Sequence, residues 1–154
     1  MEKIAFKVIG KIVGKQRPRA TTFGGRARIY TPKETMNYEQ LVKFSFLKEY
    51  PNFIPLDNEK QIKVHIQAYK PIPKAMPKWK RQLALDGIIR PTIKPDLDNI
   101  AKSVLDGLNQ VAFVDDKNVV ELKVSQYYHQ VEFLFITIEE IEITNEEYLK
   151  HIKK

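Results

Sequence analysis

The 154-residue chain contains no cysteine. Disulfides and thiolate metal sites are therefore excluded, which fits a reducing, cytoplasmic setting. Histidine is scarce, with three residues. His65 falls on the polar face of an alternating stretch and no second histidine shares its pattern, so it reads as a strand residue and not a metal ligand. No run approaches the roughly 18 apolar residues of a membrane helix. The first residues lack the apolar core of a signal peptide. These features lead us to expect a cytoplasmic protein with no membrane partner. There is no internal repeat, low-complexity tract or heptad pattern. Acidic residues are the minority: 19 Asp and Glu against 26 Lys and Arg, a net charge of +7. Hydrophobic content of 43% and charged content of 29% are ordinary for a globular domain. The length suits one domain with a real core and not two. Residues 1–154 are read as that domain, with an acidic C-terminal tail from about residue 139.

The positive charge is clustered. Arg17, Arg19, Arg26, Arg28 and Lys33 fall in one stretch marked by glycine and proline; Lys70, Lys74, Lys78, Lys80, Arg81, Arg90 and Lys94 fall in another. Basic surface of this density attracts polyanions, nucleic acid foremost, although it also serves solubility.

Hydrophobic periodicity outlines the elements. Ile4, Phe6 and Val8 alternate as in a strand, and the stretch from Val13 to Glu34 reads as a loop or loose hairpin. Tyr38, Leu41, Val42, Phe44 and Ser45 follow helical spacing, starting near Thr35 and ending before Pro51. Ile62, Val64, Ile66 and Ala68 alternate inward along a second strand. "PKWKRQLALDG" is a short helical candidate in a proline-rich stretch, with Trp79 better suited to anchoring it in the core than to stacking on a base. Leu97, Ile100, Ala101, Val104, Leu105 and Leu108 mark a three-turn helix. Val120, Leu122 and Val124 alternate again. "VEFLFITI" is apolar on both faces and belongs in the middle of a sheet, after a connection short enough for a hairpin. The fold class expected is α/β: a mixed sheet with helices packed on it.

Against this basic background, carboxylates gather around one helix, in "KPDLDNIAKSVLDGLNQVAFVDDKN". If residues 94–98 are extended, Asp96 and Asp98 point the same way. Asp115 and Asp116 follow the helix. Each feature alone has an ordinary explanation, an N-cap for the first pair and a turn for the second. Together they form a set of hard oxygen ligands without histidine or cysteine, which suits Mg²⁺ or Mn²⁺ and phosphodiester hydrolysis. Lys102 lies one turn after Asp98. The spacing alone allows either a surface ion pair or an ammonium beside a phosphate.

The order D-x-D-N, a lysine four residues after the second aspartate, "LDGL" and then "VDD" resembles the RusA family of Holliday-junction resolvases. "KQRPR", "IYTPKET" and "KPIPKAMPKWKR" resemble phage-type members. The resemblance implies a RusA-like, homodimeric, Mg²⁺-dependent endonuclease (crossover junction endodeoxyribonuclease) that cuts branched, four-way DNA in recombination and repair. It makes Asp96, Asp98 and Asp116 metal ligands and Lys102 a catalytic residue. The interval before the "DD" pair is one residue shorter than in the family's best-known form, so Asp115 stands as the alternative to Asp116. Arg17, Arg19, Arg26, Arg28 and Lys94 are the candidate DNA contacts. A looser flap or fork nuclease and a non-catalytic DNA-binding module are the rival readings.

Overall fold

Residues 3–30 and 32–152 are described by the computed structural model; Thr31, within "IYTPKET", lies outside them. Strand β1 spans Ile4–Ile9, with Ile4, Phe6 and Val8 buried as their alternation requires. Strands β2 (Arg19–Phe23) and β3 (Arg26–Tyr30) pair with each other in a separate two-stranded sheet. Gly24 and Gly25 turn between them at φ of 60° and 79°, left-handed values that suit glycine. The loop or loose hairpin expected here is thus a formed ribbon, and every residue of β3 is exposed.

Helix α1 (Lys33–Glu49) buries Thr35, Tyr38, Val42 and Phe46. This corrects the expected face: Phe44 is 65% exposed, and Phe46 fills the core in its place. Strand β4 is Ile62–Pro71, α2 is Lys78–Leu85 and α3 is Leu97–Leu108. A 3-10 turn at Asp116–Asn118 leads into β5 (Val119–His129), followed by β6 (Phe133–Glu140) and α4 (Glu146–Ile152). The first two residues of the acidic C-terminal stretch therefore belong to the sheet. No helix among the described residues is long and apolar enough to cross a membrane.

The main sheet has the order β1-β6-β4-β5. β6 lies between β1 and β4 and runs antiparallel to both, an interior place that suits its apolar stretch Phe133–Ile136; β5 runs parallel to β4. The chain is α/β with a mixed sheet, as read from the sequence. The expected β5–β6 hairpin is not formed. Pro71 ends β4, and the three residues between His129 and Phe133 step across that end, so β4 lies between the two strands. Helices α1 and α3 pack against each other, α1 also meeting β1 and α3 meeting β5. Beneath them lie Phe6, Val8, Ile62, Val64, Ile66, Leu134, Ile136 and Ile138. On the opposite face an aromatic row crosses the strands: Tyr127, Tyr69 and Phe133 stack at 5.5 and 4.6 Å. Arg90 caps one end at 4.4 Å from the Tyr127 ring and Lys7 the other at 5.1 Å from Phe133. Trp79 does not anchor α2; it is 71% exposed, and Ala84 is the buried residue of that helix.

Candidate active site

A parallel pair such as β4–β5 requires a crossover, and here the crossover carries α2 and α3. The segment entering α3 thus sits beyond the carboxyl end of β4, where open α/β sheets commonly place ligands. Asp96 precedes the helix in an extended conformation, φ −69° and ψ 155°. Asp98 is already inside the first turn, so the chain is not extended through residue 98 as expected. Both carboxylates nevertheless line one cleft of about 1020 Å³, together with Lys94 and Lys102.

The ordinary explanations hold only in part: Asp96 occupies the N-cap position and Asp98 lies in the first turn of α3. Asp96 makes no side-chain capping hydrogen bond. Among the described residues, no ion pair joins Asp98 to Lys102. Asp115, by contrast, has a turn role: its Oδ1 accepts from the Lys117 backbone N–H at 3.1 Å.

The opposite wall of the cleft is the segment between β1 and β2, including Gly14, Lys15, Arg17 and Arg19. It is stitched to the helices. Lys15 N–H donates to Asn99 O at 2.8 Å, Ser103 Oγ donates to Val13 O at 3.0 Å, and Gln16 N–H donates to Thr35 Oγ1 at 3.2 Å. Gly14 permits this approach, since a Cβ there would stand 2.7 Å from Pro95 Cβ and 2.9 Å from Asn99 Cβ. Neither atom is the free end of a flexible chain. Gly14→Ala is therefore expected to destabilise the fold by about 1–3 kcal/mol, typical of overpacking. Urea denaturation checks this; an unchanged midpoint would mean the wall yields without cost.

Six cations (Lys11, Lys15, Arg17, Arg19, Lys94, Lys102) and three carboxylates (Glu34, Asp96, Asp98) line the cleft. A polyanion is thus attracted overall although carboxylates share the lining. Arg26 and Arg28 are not in the cleft but on the ribbon. The β2–β3 register places Arg19 opposite Tyr30 and Thr21 opposite Arg28, so Arg19, Arg26 and Arg28 share one face of the ribbon. That face continues from the cleft through Arg19.

Two lysines have roles that the sequence reading missed. Lys70, counted there with the basic surface, is 2% exposed. Its Nζ donates to Ile93 O at 2.7 Å and Pro95 O at 2.9 Å, pinning the strand of chain that presents Lys94 and Asp96. Burial lowers its pKa, against the pull of Asp96 and Glu132. The signal was present: Lys70 continues the inward series Ile62, Val64, Ile66, Ala68. Lys15 bridges Glu39 of α1 at 2.7 Å and Asp106 of α3 at 3.1 Å. Burial opposes its charge, but the hydrogen bonds its ammonium donates to the two carboxylates prevail and raise its pKa.

Asp116 is not among the cleft-lining residues. Hydrogen bonding to Asp115, then burial, then the charges of Asp115 and Asp106 raise its pKa. It therefore senses the far end of α3, where Asp106 follows Asp98 and Lys102 at successive four-residue steps. Among the described residues no three His, Cys, Asp or Glu side chains already form a metal cluster. Two carboxylates lining one cleft still fit Mg²⁺, which commonly binds through one or two carboxylates while keeping waters and substrate phosphates. His65 faces lysines instead: burial and the charges of Lys123, Lys3 and Lys63 lower its pKa.

Asp96, Asp98 and Lys102 thus share one cleft with a largely cationic lining. The family model for the endodeoxyribonuclease RusA matches residues 10–139, taking in both walls of the cleft. An uncharacterized protein of Bacillus subtilis (strain 168), YqaN, is 33% identical over 143 residues, covering 92% of this chain and 99% of that protein. The chain belongs to the RusA endodeoxyribonuclease family.

Proposed function

We propose that this endodeoxyribonuclease resolves four-way DNA junctions, as a homodimer, by paired symmetric nicks that require Mg²⁺, with Mn²⁺ as a substitute. The observation that carries the catalytic part is that Asp96, Asp98 and Lys102 line one cleft, with Asp96 making no side-chain capping hydrogen bond and no ion pair joining Asp98 to Lys102 among the described residues. Asp96 and Asp98 hold the ion, which when bound polarises the scissile phosphate and makes a nearby water more acidic. Lys102 places its ammonium against a phosphate oxygen where charge develops. Lys94, Arg17 and Arg19 hold the flanking phosphates, and Arg26 and Arg28 extend the contact along one DNA arm. Asp116 is assigned the third acidic position. Asp115, already engaged with the Lys117 N–H, is the weaker alternative. The whole chain acts as one domain in this reading. Family membership supports hydrolysis to 5′-phosphate and 3′-hydroxyl ends.

Two symmetric cuts in a junction of approximate two-fold symmetry call for two sites related by an axis, which an isologous dimer supplies. The test is cleavage of labelled four-way junction, flap and linear duplex, with and without Mg²⁺. Paired nicks confined to the junction support the proposal. Equal cutting of flaps makes the chain a looser branch nuclease, and binding without cutting makes it a DNA-binding module. If about six phosphates are contacted, log affinity should fall against log salt with a slope near −5. Replacing Arg26 and Arg28 together with alanine should flatten that slope by about 2. An unchanged slope would remove the ribbon from the interface.

A further inference from the structure

Along most of the main sheet exposure alternates or is low, as expected where helices cover one face. The start of β5 departs from this. Val120, Glu121, Leu122 and Lys123 are four consecutive exposed residues, with Val120 at 58% and Leu122 at 43%. β5 is also an edge strand, so its outer backbone N–H and C=O groups have no strand partner. Both faces and the edge are therefore open together at this one place, beside aliphatic side chains that gain nothing from water. Farther along the strand, Gln126 and Tyr127 are engaged by Pro91 and Arg90, so the opening is confined to the first half.

The sequence at this opening says what fits it. Val120 sits at a register shift between β5 and β4, and the strand runs regularly from Glu121 onward. Laid antiparallel on a second copy of itself with Leu122 opposite Leu122, "ELK" sets Glu121 against Lys123 and Lys123 against Glu121. Opposite charges facing across strands favour pairing, and like charges disfavour it. Sliding the copies by two residues either way sets Glu121 against Glu121 or Lys123 against Lys123. One register is thus attractive and its same-face neighbours are repulsive, which is the requirement for a unique two-fold seam. A lysine on an edge strand ordinarily discourages pairing; here each lysine has a glutamate waiting in the other copy. Within its own chain Glu121 is registered beside Lys63, and Lys123 beside His65.

We propose that two copies of this chain join through the first half of β5, antiparallel about Leu122, so that their sheets become one continuous eight-stranded sheet. This rests on the homodimer reading above and specifies its surface. Sedimentation of full-length wild type, Glu121→Lys, Lys123→Glu and the double variant, each checked for native circular dichroism, tests it. Each single variant places two like-charge pairs across the seam and should raise the dimer dissociation constant at least about tenfold. The double variant restores both attractive pairs and should recover dimerisation to within about threefold of wild type. Mixing the two single variants should yield a heterodimer by native mass spectrometry, since one copy then carries both positive charges and the other both negative. Folded single variants that dimerise as tightly as wild type, or a double variant no better than the singles, overturn the seam while leaving a homodimer standing. A wild type that stays monomeric at every concentration and on junction DNA overturns both.

Discussion

Asp98→Asn is expected to lose junction cleavage by more than about a hundredfold while still binding the junction. Groups one step removed from a metal typically cost about 10–100-fold when altered, so a direct ligand should cost more. The substitution keeps the size of the side chain and removes its charge. Asp98 is exposed and makes no side-chain hydrogen bond or ion pair among the described residues, so the fold has little to lose. Weakened interaction with the N-terminal end of α3 accounts for about 0.3–1 kcal/mol at most. With one negative charge gone from the cleft, binding should hold or tighten. Single-turnover cleavage and a binding titration on the same junction separate the two effects. Near wild-type nicking by folded Asp98→Asn would remove the metal assignment.

Lys102→Ala is expected to slow single-turnover cleavage by about 10²–10³-fold, corresponding to about 2.7–4 kcal/mol of lost transition-state stabilisation by analogy with other charge-stabilising donors. Stability should barely change. Lys102 lies on the exposed side of α3, and alanine is the better helix former. With no Asp98–Lys102 ion pair among the described residues, no such pair is broken. A thermal melt beside the kinetic measurement decides the matter. A lowered melting temperature with unchanged turnover would make Lys102 a structural residue after all.

What could be read from the sequence, and what could not, divides by the range of the interaction. The helix is local, set by spacing within about ten residues, and forms where it was read; Asp96, Asp98 and Lys102 line one cleft beside it, although Asp98 lies in the first turn and not in the extended run expected. The two-sided apolarity of "VEFLFITI" placed β6 inside the sheet for the same reason. Its neighbours were another matter. A short connection ordinarily makes a hairpin, and nothing within residues 129–133 shows that β4 ends just below and lets the chain step over it. Gly14 gave no signal either. Its lack of a side chain matters only because Pro95 and Asn99, some eighty residues on, come against it. Asp116 is the instructive case among the site residues. The motif groups it with Asp96 and Asp98, but it is not among the residues lining their cleft, and Asp106 is one of the charges acting on it.

In the proposed reading the groups assigned to chemistry and those assigned to DNA contact stand on separate parts of the fold. Asp96, Asp98 and Lys102 are borne by α3, one side of which is buried in the core through Ile100, Ala101 and Val104. Arg26 and Arg28 stand on a ribbon that shares no strand pairing with the main sheet. Substitutions in the ribbon reach the DNA without passing through the packed interior, whereas almost any change on the buried side of α3 disturbs stability and turnover at once. If the proposed assignment holds, residues 19–30 are free to change the DNA contacted while the residues of α3 stay as they are.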